Sequence, residues 1–289
     1  MAKIADFFGV PRRGARSRAA HQARPIPVRK MGFDFSEVPK YWFAGSPLAT
    51  HFANGLNLVF PDGERFFIRS VKHFLDEIKD DPELLARCRN FFGQEGSHGH
   101  EHERAFENLE SHGYQVRPWL TWYRNHAYEG IEKKVSPKMR LAITAALEHL
   151  TATLAEHGLS ENSEMDLAHP VMRDLMKWHA CEEIEHKSVA FDVFQRVDGR
   201  YWVRALGMII GMIVLTFYSR SAQRMLIEQD GISRREARRM HREAIRNSPD
   251  RRLLWLGLLK YLRPGFHPDD VDNYHLAERC LERIGRLQG

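Results

Sequence analysis

The chain has 289 residues, 43% of them apolar and 28% charged, with a formal net charge of +5, which supports a sizeable folded core and excludes a disordered or fibrous chain. Three widely spaced cysteines, Cys88, Cys181 and Cys280, exclude a disulfide-framed small domain and a zinc site of paired-cysteine spacing. They make the reducing cytoplasm the expected compartment, and no glycine-rich phosphate loop or Ser-His-Asp signature is present.

The basic residues are unevenly spread. Residues 1–40 read as a basic N-terminal arm, with Lys3, Arg12, Arg13, Arg16, Arg18, Arg24, Arg29 and Lys30 set against Asp6 alone in the first 30 residues. The arm lacks the continuous apolar run of a secretory signal, and Pro11, Pro25 and Pro27 break any long helix. No nucleic-acid-binding motif accompanies it, so nucleic acid is not an expected partner.

In the segment that follows, Pro61-Asp62-Gly63 reads as a turn opening a helix on which Phe66, Phe67, Ile68, Val71, Phe74, Leu75 and Ile78 recur at helical spacing. Glu64 is the acid at its start, either complementing the helix dipole or supplying a ligand. Asp81-Pro82 then reads as a cap and first turn. The helix it opens carries Leu84, Cys88, Phe91, Glu95, His98, His102 and Phe106 toward Gly113. Glu95, His98 and His102 fall on one side of it, within about 60° of one another.

Residues 119–134 read as an outer connection, and Ser136-Pro137 opens a further helix. Glu148 there stands among Leu141, Thr144, Ala145, Leu147, Thr151 and Ala152, whereas His149 points about 100° away and reads as structural. Pro170 opens a helix expected to run to Asp198-Gly199. His179, Glu183 and His186 share one stripe of it, while Glu182 and Glu185 point elsewhere, as acids behind the ligands or in solvent.

One Glu-x-x-His is common; two on separate helices, with single glutamates on two others, are not. Four buried carboxylates without cations would each cost several kcal/mol, on the order set by desolvation, and two divalent ions offset that charge. The pattern is that of a di-metal helical bundle, so the expected fold is all-α, a ferritin-like four-helix bundle over 41–225 with additional C-terminal helices in a basic appendage over 226–289. The expected metal ligands are Glu64, Glu95, His98, His102, Glu148, His179, Glu183 and His186. Either Glu64 with Glu183 or Glu95 with Glu148 bridges the ions, and spacing does not choose between them.

The segments FPDGERFFIRSV, QEGSHGHEH, LEHLTA and WHACEEIEHKSVAFDVF resemble, in order and spacing, the bacterial family of predicted metal-dependent hydrolases, from residue 31 to about 225. That family resembles the ferritin-like di-metal carboxylate proteins. The run His179-x3-Glu183-x2-His186 is similar to the last ligand helix of di-iron N-oxygenases, while His102 stands outside the usual ferritin-like set and is either a ligand or a partner orienting one.

Beyond the ligand helix, residues 205–218 are apolar with Gly207 and Gly211 at four-residue spacing, and arginines follow from Arg220 to Arg252. The run is short of a secure membrane span. It packs on the bundle, lines a homodimer contact, or with residues up to 252 touches a membrane surface. The function read from this pattern is a non-haem di-metal oxidase or oxygenase acting with dioxygen and an electron donor on a small-molecule substrate of apolar or lipid-like character, with Thr144 and Thr151 donating to bound oxygen species. Carboxylate and imidazole donors put iron first, with manganese, a mixed manganese–iron pair and zinc as alternatives. The alternative reading is a metal-dependent hydrolase using a bridging hydroxide, and the third is a non-enzymatic metal-binding protein.

Overall fold

The computed structural model describes residues 24–161, 163–247 and 257–285, and among these the chain is all-helical, with one isolated bridge between Phe43 and Ala168 in place of any strand. Residues 1–23 of the basic arm, and Arg251 and Arg252 of the arginine-rich stretch, lie outside the described residues. The helices are α1 (Pro47–Lys72), α2 (Pro82–Ser111), α3 (Arg117–Tyr123), α4 (Pro137–Gly158), α5 (Pro170–His186), α6 (Val189–Val197), α7 (Tyr201–Gln229), α8 (Arg234–Asn247) and α9 (Tyr274–Gly285).

Helices α1, α2, α4 and α5 each begin with proline in the first turn, where its fixed φ suits the helix and its missing N–H costs nothing. Three of them are capped by the preceding side chain: Ser46 accepts from the Ala49 amide at 3.3 Å, Asp81 from Leu84 at 2.9 Å and Ser136 from Met139 at 3.4 Å. These starts set four long helices that pack in neighbouring pairs: α1 on α2, α2 on α5 and α6, α5 on α4, and α4 on α1. Helix α7 lies across α1 and α4, and α9 closes over α5. Leu141, Ala142, Ala145 and Ala146 of α4 share one buried cluster with Phe91 of α2 and Val189, Phe191 and Phe194 of α6.

Two boundaries differ from those read in the sequence. Pro61 lies inside α1 and is buried, and the helix runs unbroken through Pro61-Asp62-Gly63 to Lys72. An internal proline costs about 3 kcal/mol, a cost that packing against α2 and α7 on either side outweighs. In the other case α5 stops at His186, and α6 resumes at Val189. Both residues of the break are held from elsewhere in the chain: Lys187 Nζ donates to the Val271 carbonyl at 2.7 Å, and Ser188 Oγ accepts from Arg87 at 2.7 Å. His149 is structural, its Nε2 2.9 Å from the Gly257 carbonyl.

Candidate metal centre

The interior between α1, α2, α4 and α5 is where the eight expected ligands meet. Glu64 comes from α1, Glu95, His98 and His102 from α2, Glu148 from α4, and His179, Glu183 and His186 from α5; all eight are buried. Glu64 is deep in α1 rather than at its start, so the helix-dipole reading of this acid is corrected. The helical period brings the rest inward: His179, Glu183 and His186 lie one turn apart along α5, as do Glu95, His98 and His102 along α2.

Within this cluster the donor atoms form overlapping triplets, each spanning no more than 4.8 Å: Glu64 with Glu95 and His98; Glu95 with Glu148 and His186; His98 with His179 and Glu183; and Glu64 with His102 and His179. Glu64, Glu95, His98 and His179 each belong to two of these sets, and Glu95 is the one that joins the Glu148–His186 set to another. His186 Nε2 lies 3.1 Å from Glu95, 3.3 Å from Glu148 and 3.6 Å from Glu183, and His179 Nε2 lies 2.8 Å from Glu183. His102 faces His179, Nε2 to Nδ1 at 2.6 Å, and its other nitrogen contacts Asn57.

The test of whether such a group fits metal is what the buried polar atoms lack. Both carboxylate oxygens of Glu64, Glu95 and Glu148, together with His98 Nδ1 and His186 Nε2, are buried without a hydrogen-bond partner. Leaving one buried polar atom unpaired costs about 1–3 kcal/mol, more for a charge, and eight such atoms gathered at one point call for cations. Burial raises the pKa of Glu64 and Glu148 well above the usual carboxylate range and raises that of Glu95. Burial also opposes ionisation of Glu183, but His186 and His179 beside it hold its carboxyl well below that range. Burial and the neighbouring His179 push His98 and His102 down, so both are neutral imidazoles, the form that ligates. Gly99 leaves the room: a Cβ there would stand 3.0 Å from Glu64 Oε2. The donors are all carboxylate and imidazole, a set suited to iron, manganese or zinc.

A family model described as "Predicted metal-dependent hydrolase" matches residues 27–272. The chain belongs to this family. The match extends beyond the span of the four resembling segments at both ends and takes in Arg29 as well as α7 and α8. No curated protein and no solved structure matches the chain. Membership in the predicted metal-dependent hydrolases corrects the oxidase or oxygenase reading, and with it the expected electron donor: the alternative, hydrolytic reading is the one the family supports. Sequence pattern could not separate the two because the same oxygen and nitrogen ligands serve redox and hydrolytic metals alike.

The two threonines assigned to bound oxygen species have other partners. Thr144 shares a hydrogen bond with Ser70 at 2.6 Å, and Thr151 donates to Glu183 Oε2. Thr151, Glu64, His179 and Glu183 line a cavity of about 120 Å³ together with Phe60, Phe66, Leu215 and other apolar residues, Tyr123 and Tyr128, and the charged Glu132 and Arg140. Of the two readings of Glu182, behind the ligands or in solvent, the structure shows the first, and Gln94 is a partner that sequence reasoning missed. Glu182, fully buried, is 3.0 Å from His98 Nε2 and accepts from Trp178 at 3.0 Å, and Gln94 Oε1 lies 2.9 Å from His186 Nδ1. The signal for Gln94 was its place immediately before a ligand glutamate, the place Glu182 also holds.

Proposed function

We propose that this chain is a hydrolase with a two-ion centre. Glu64, His98 and His179 would hold one ion, Glu148 and His186 the other, and Glu95 and Glu183 would bridge them. This pairing is neither of those weighed from spacing; what supports it is that Glu95 is the residue the Glu148–His186 triplet shares with another, and that Glu183 lies within 4.0 Å of His98, His179 and His186. A carboxylate from each of four helices, with Glu-x-x-His on two, also supports reading α1, α2, α4 and α5 as a ferritin-like bundle. Divalent ions bound there would activate water as a nucleophile near neutral pH and polarise the bond to be cleaved.

The protein's own part is orientation and exclusion. Thr151 holds one oxygen of Glu183, leaving Oε1 toward the histidines. The cavity wall is apolar apart from the Tyr123–Tyr128 hydroxyl pair and the paired Glu132 and Arg140, so a substrate that fills it brings a largely apolar group and leaves the cleavable bond at Glu64 and Glu183. The substrate class is therefore an ester, amide or phosphoester of an apolar chain.

An anionic lipid surface is the proposed source of such a substrate. Helix α7 is, among the described residues, long and apolar enough to cross a membrane, yet one side packs on α1 and α4. Its other side exposes Trp202, Leu206, Ile209, Ile213 and Phe217, and the same stripe continues into exposed Arg220 and Arg224. Ile210, Val214 and Leu215 of the same helix wall the cavity.

The test is hydrolysis of p-nitrophenyl esters of increasing acyl length by chelated protein with Mn(II), Fe(II) or Zn(II) restored. We expect hydrolysis only with metal and faster for longer chains. Equal rates with and without metal would overturn the reading.

A further inference from the structure

We propose that Arg29, carried on the N-terminal segment ahead of α1, is a positioning residue for the centre, fixing the ring orientation and tautomer of His98 and His186 together. The inference rests on the reading that this cluster binds metal. Each of these histidines has one nitrogen turned inward without a partner, His98 Nδ1 and His186 Nε2. Each has the other nitrogen turned outward to a protein oxygen, Glu182 Oε2 at 3.0 Å and Gln94 Oε1 at 2.9 Å. A ligand histidine needs its proton on the outward nitrogen, and an acceptor there supplies that condition.

The outward acceptors are fixed in turn, and both lines end on one guanidinium. Gln94 Nε2 donates to the Pro27 carbonyl at 3.0 Å and to Glu185 Oε2 at 2.7 Å. Because both of those partners only accept, the amide has one orientation: its oxygen faces His186, and the imidazole proton must sit on Nδ1. Arg29 Nη1 donates to Glu182 Oε1 at 2.8 Å and to Glu185 Oε2 at 2.8 Å, while Nη2 donates to Glu185 Oε1 at 2.8 Å. Glu182 and Glu185 stand one turn apart on the same side of α5, and a rigid fork of donors spans both carboxylates where a point charge engages one.

Without Arg29, Glu182 would be a buried carboxylate facing His98 with no cation beside it. Nothing would then hold Glu182 Oε1 from the N-terminal segment, and the carboxylate that fixes the outward nitrogen of His98 would be free to turn. Holding the N-terminal segment in place does not depend on Arg29. Ile26 is buried in the core, the Gly32 amide donates to Glu101 at 2.7 Å, and the Phe33 ring packs 5.9 Å from Trp178. A role confined to anchoring would therefore leave the metal unaffected.

The experiment is Mn(II) and Zn(II) affinity by chelator competition for the full chain and its Arg29→Ala, Arg29→Lys and Arg24→Ala variants, each checked by circular dichroism and Tm. Arg24 lies on the same segment and pairs with Glu278, away from both lines. Arg29→Ala is expected to weaken binding on the order of 10- to 100-fold, as loss of an outer partner of a ligand does. Arg29→Lys should fall between, and Arg24→Ala should match the parent chain. Should Arg29→Ala fail to fold, Arg29→Lys carries the test. Parent-like affinity in a folded Arg29→Ala, or in a folded Arg29→Lys when the alanine variant does not fold, overturns the positioning role alone. A parent chain that binds neither ion overturns the metal reading, and the proposal with it.

Discussion

Glu64 shows how one residue's chemistry changes with what occupies the centre. In the metal-free chain its carboxyl is buried, both oxygens lack partners, and Glu95 and Glu183 add repulsion, so its pKa lies well above the usual range. A carboxyl whose folded pKa is raised binds protons more tightly than in the unfolded chain. Its effect on stability is therefore least adverse below the unfolded value near 4.5 and grows more adverse as pH rises through the folded pKa. Chelated Glu64→Gln is expected to have a higher Tm than the chelated parent at pH 7, with the difference shrinking toward pH 4. With metal restored the order reverses, because the neutral amide gives up an anionic ligand. Scanning calorimetry of both proteins across that range, with and without Mn(II), checks the sign.

At the scale of helices, Gly207 and Gly96 make opposite predictions from the same substitution. Glycine inside a helix costs about 1 kcal/mol relative to alanine, so Gly→Ala gains where there is space. A Cβ on Gly96 meets nothing within 4 Å, whereas one on Gly207 would stand 2.7 Å from the backbone carbonyl of Ala142, where α7 crosses α4. Gly96→Ala should raise Tm. Gly207→Ala should lower it, the clash costing about 1–3 kcal/mol in overpacking against the smaller helix gain. The spacing of Gly207 and Gly211 was visible in the sequence, but not that the crossing it serves lies within the chain. Capped starts at Asp81 and Ser136 were legible because the signal is local, a side chain three residues from its amide. Pro61 misled because the contacts that sustain α1 through it come from α2 and α7. The break after His186 was hidden for a similar reason, since Lys187 is held by residues 84 and 86 positions away. The ligands were legible through helical period. Arg29 was not, because its partners Glu182 and Glu185 are 153 and 156 positions away.

For the molecule as a whole, the exposed face of α7 sets the expectation. Ile213 is 63% exposed and Trp202 57%, an arrangement that leaves a stripe about 22 Å long open between residues 202 and 217. Arg220 and Arg224 extend that stripe, and Arg234, Arg235, Arg238 and Arg239 on α8 add charge beyond it. We expect the protein to float with vesicles containing anionic phosphatidylglycerol at low salt, to float less as salt screens the arginines, and to lose binding in Ile209→Glu with Ile213→Glu. Failure to float, together with a dimer in light scattering that the same two changes dissociate, would assign the face to a second copy instead.

The claim on which the rest stands is that seven buried side chains, Glu64, Glu95, His98, Glu148, His179, Glu183 and His186, hold two ions with Glu95 between them. Calorimetric titration of the chelated chain with Mn(II), beside its Glu95→Gln variant, measures this directly. The parent is expected to take two ions per chain, and Glu95→Gln to weaken both, since its lost charge faces both donor sets. Binding of one ion or none by the parent, or two undiminished sites in Glu95→Gln, would contradict the account.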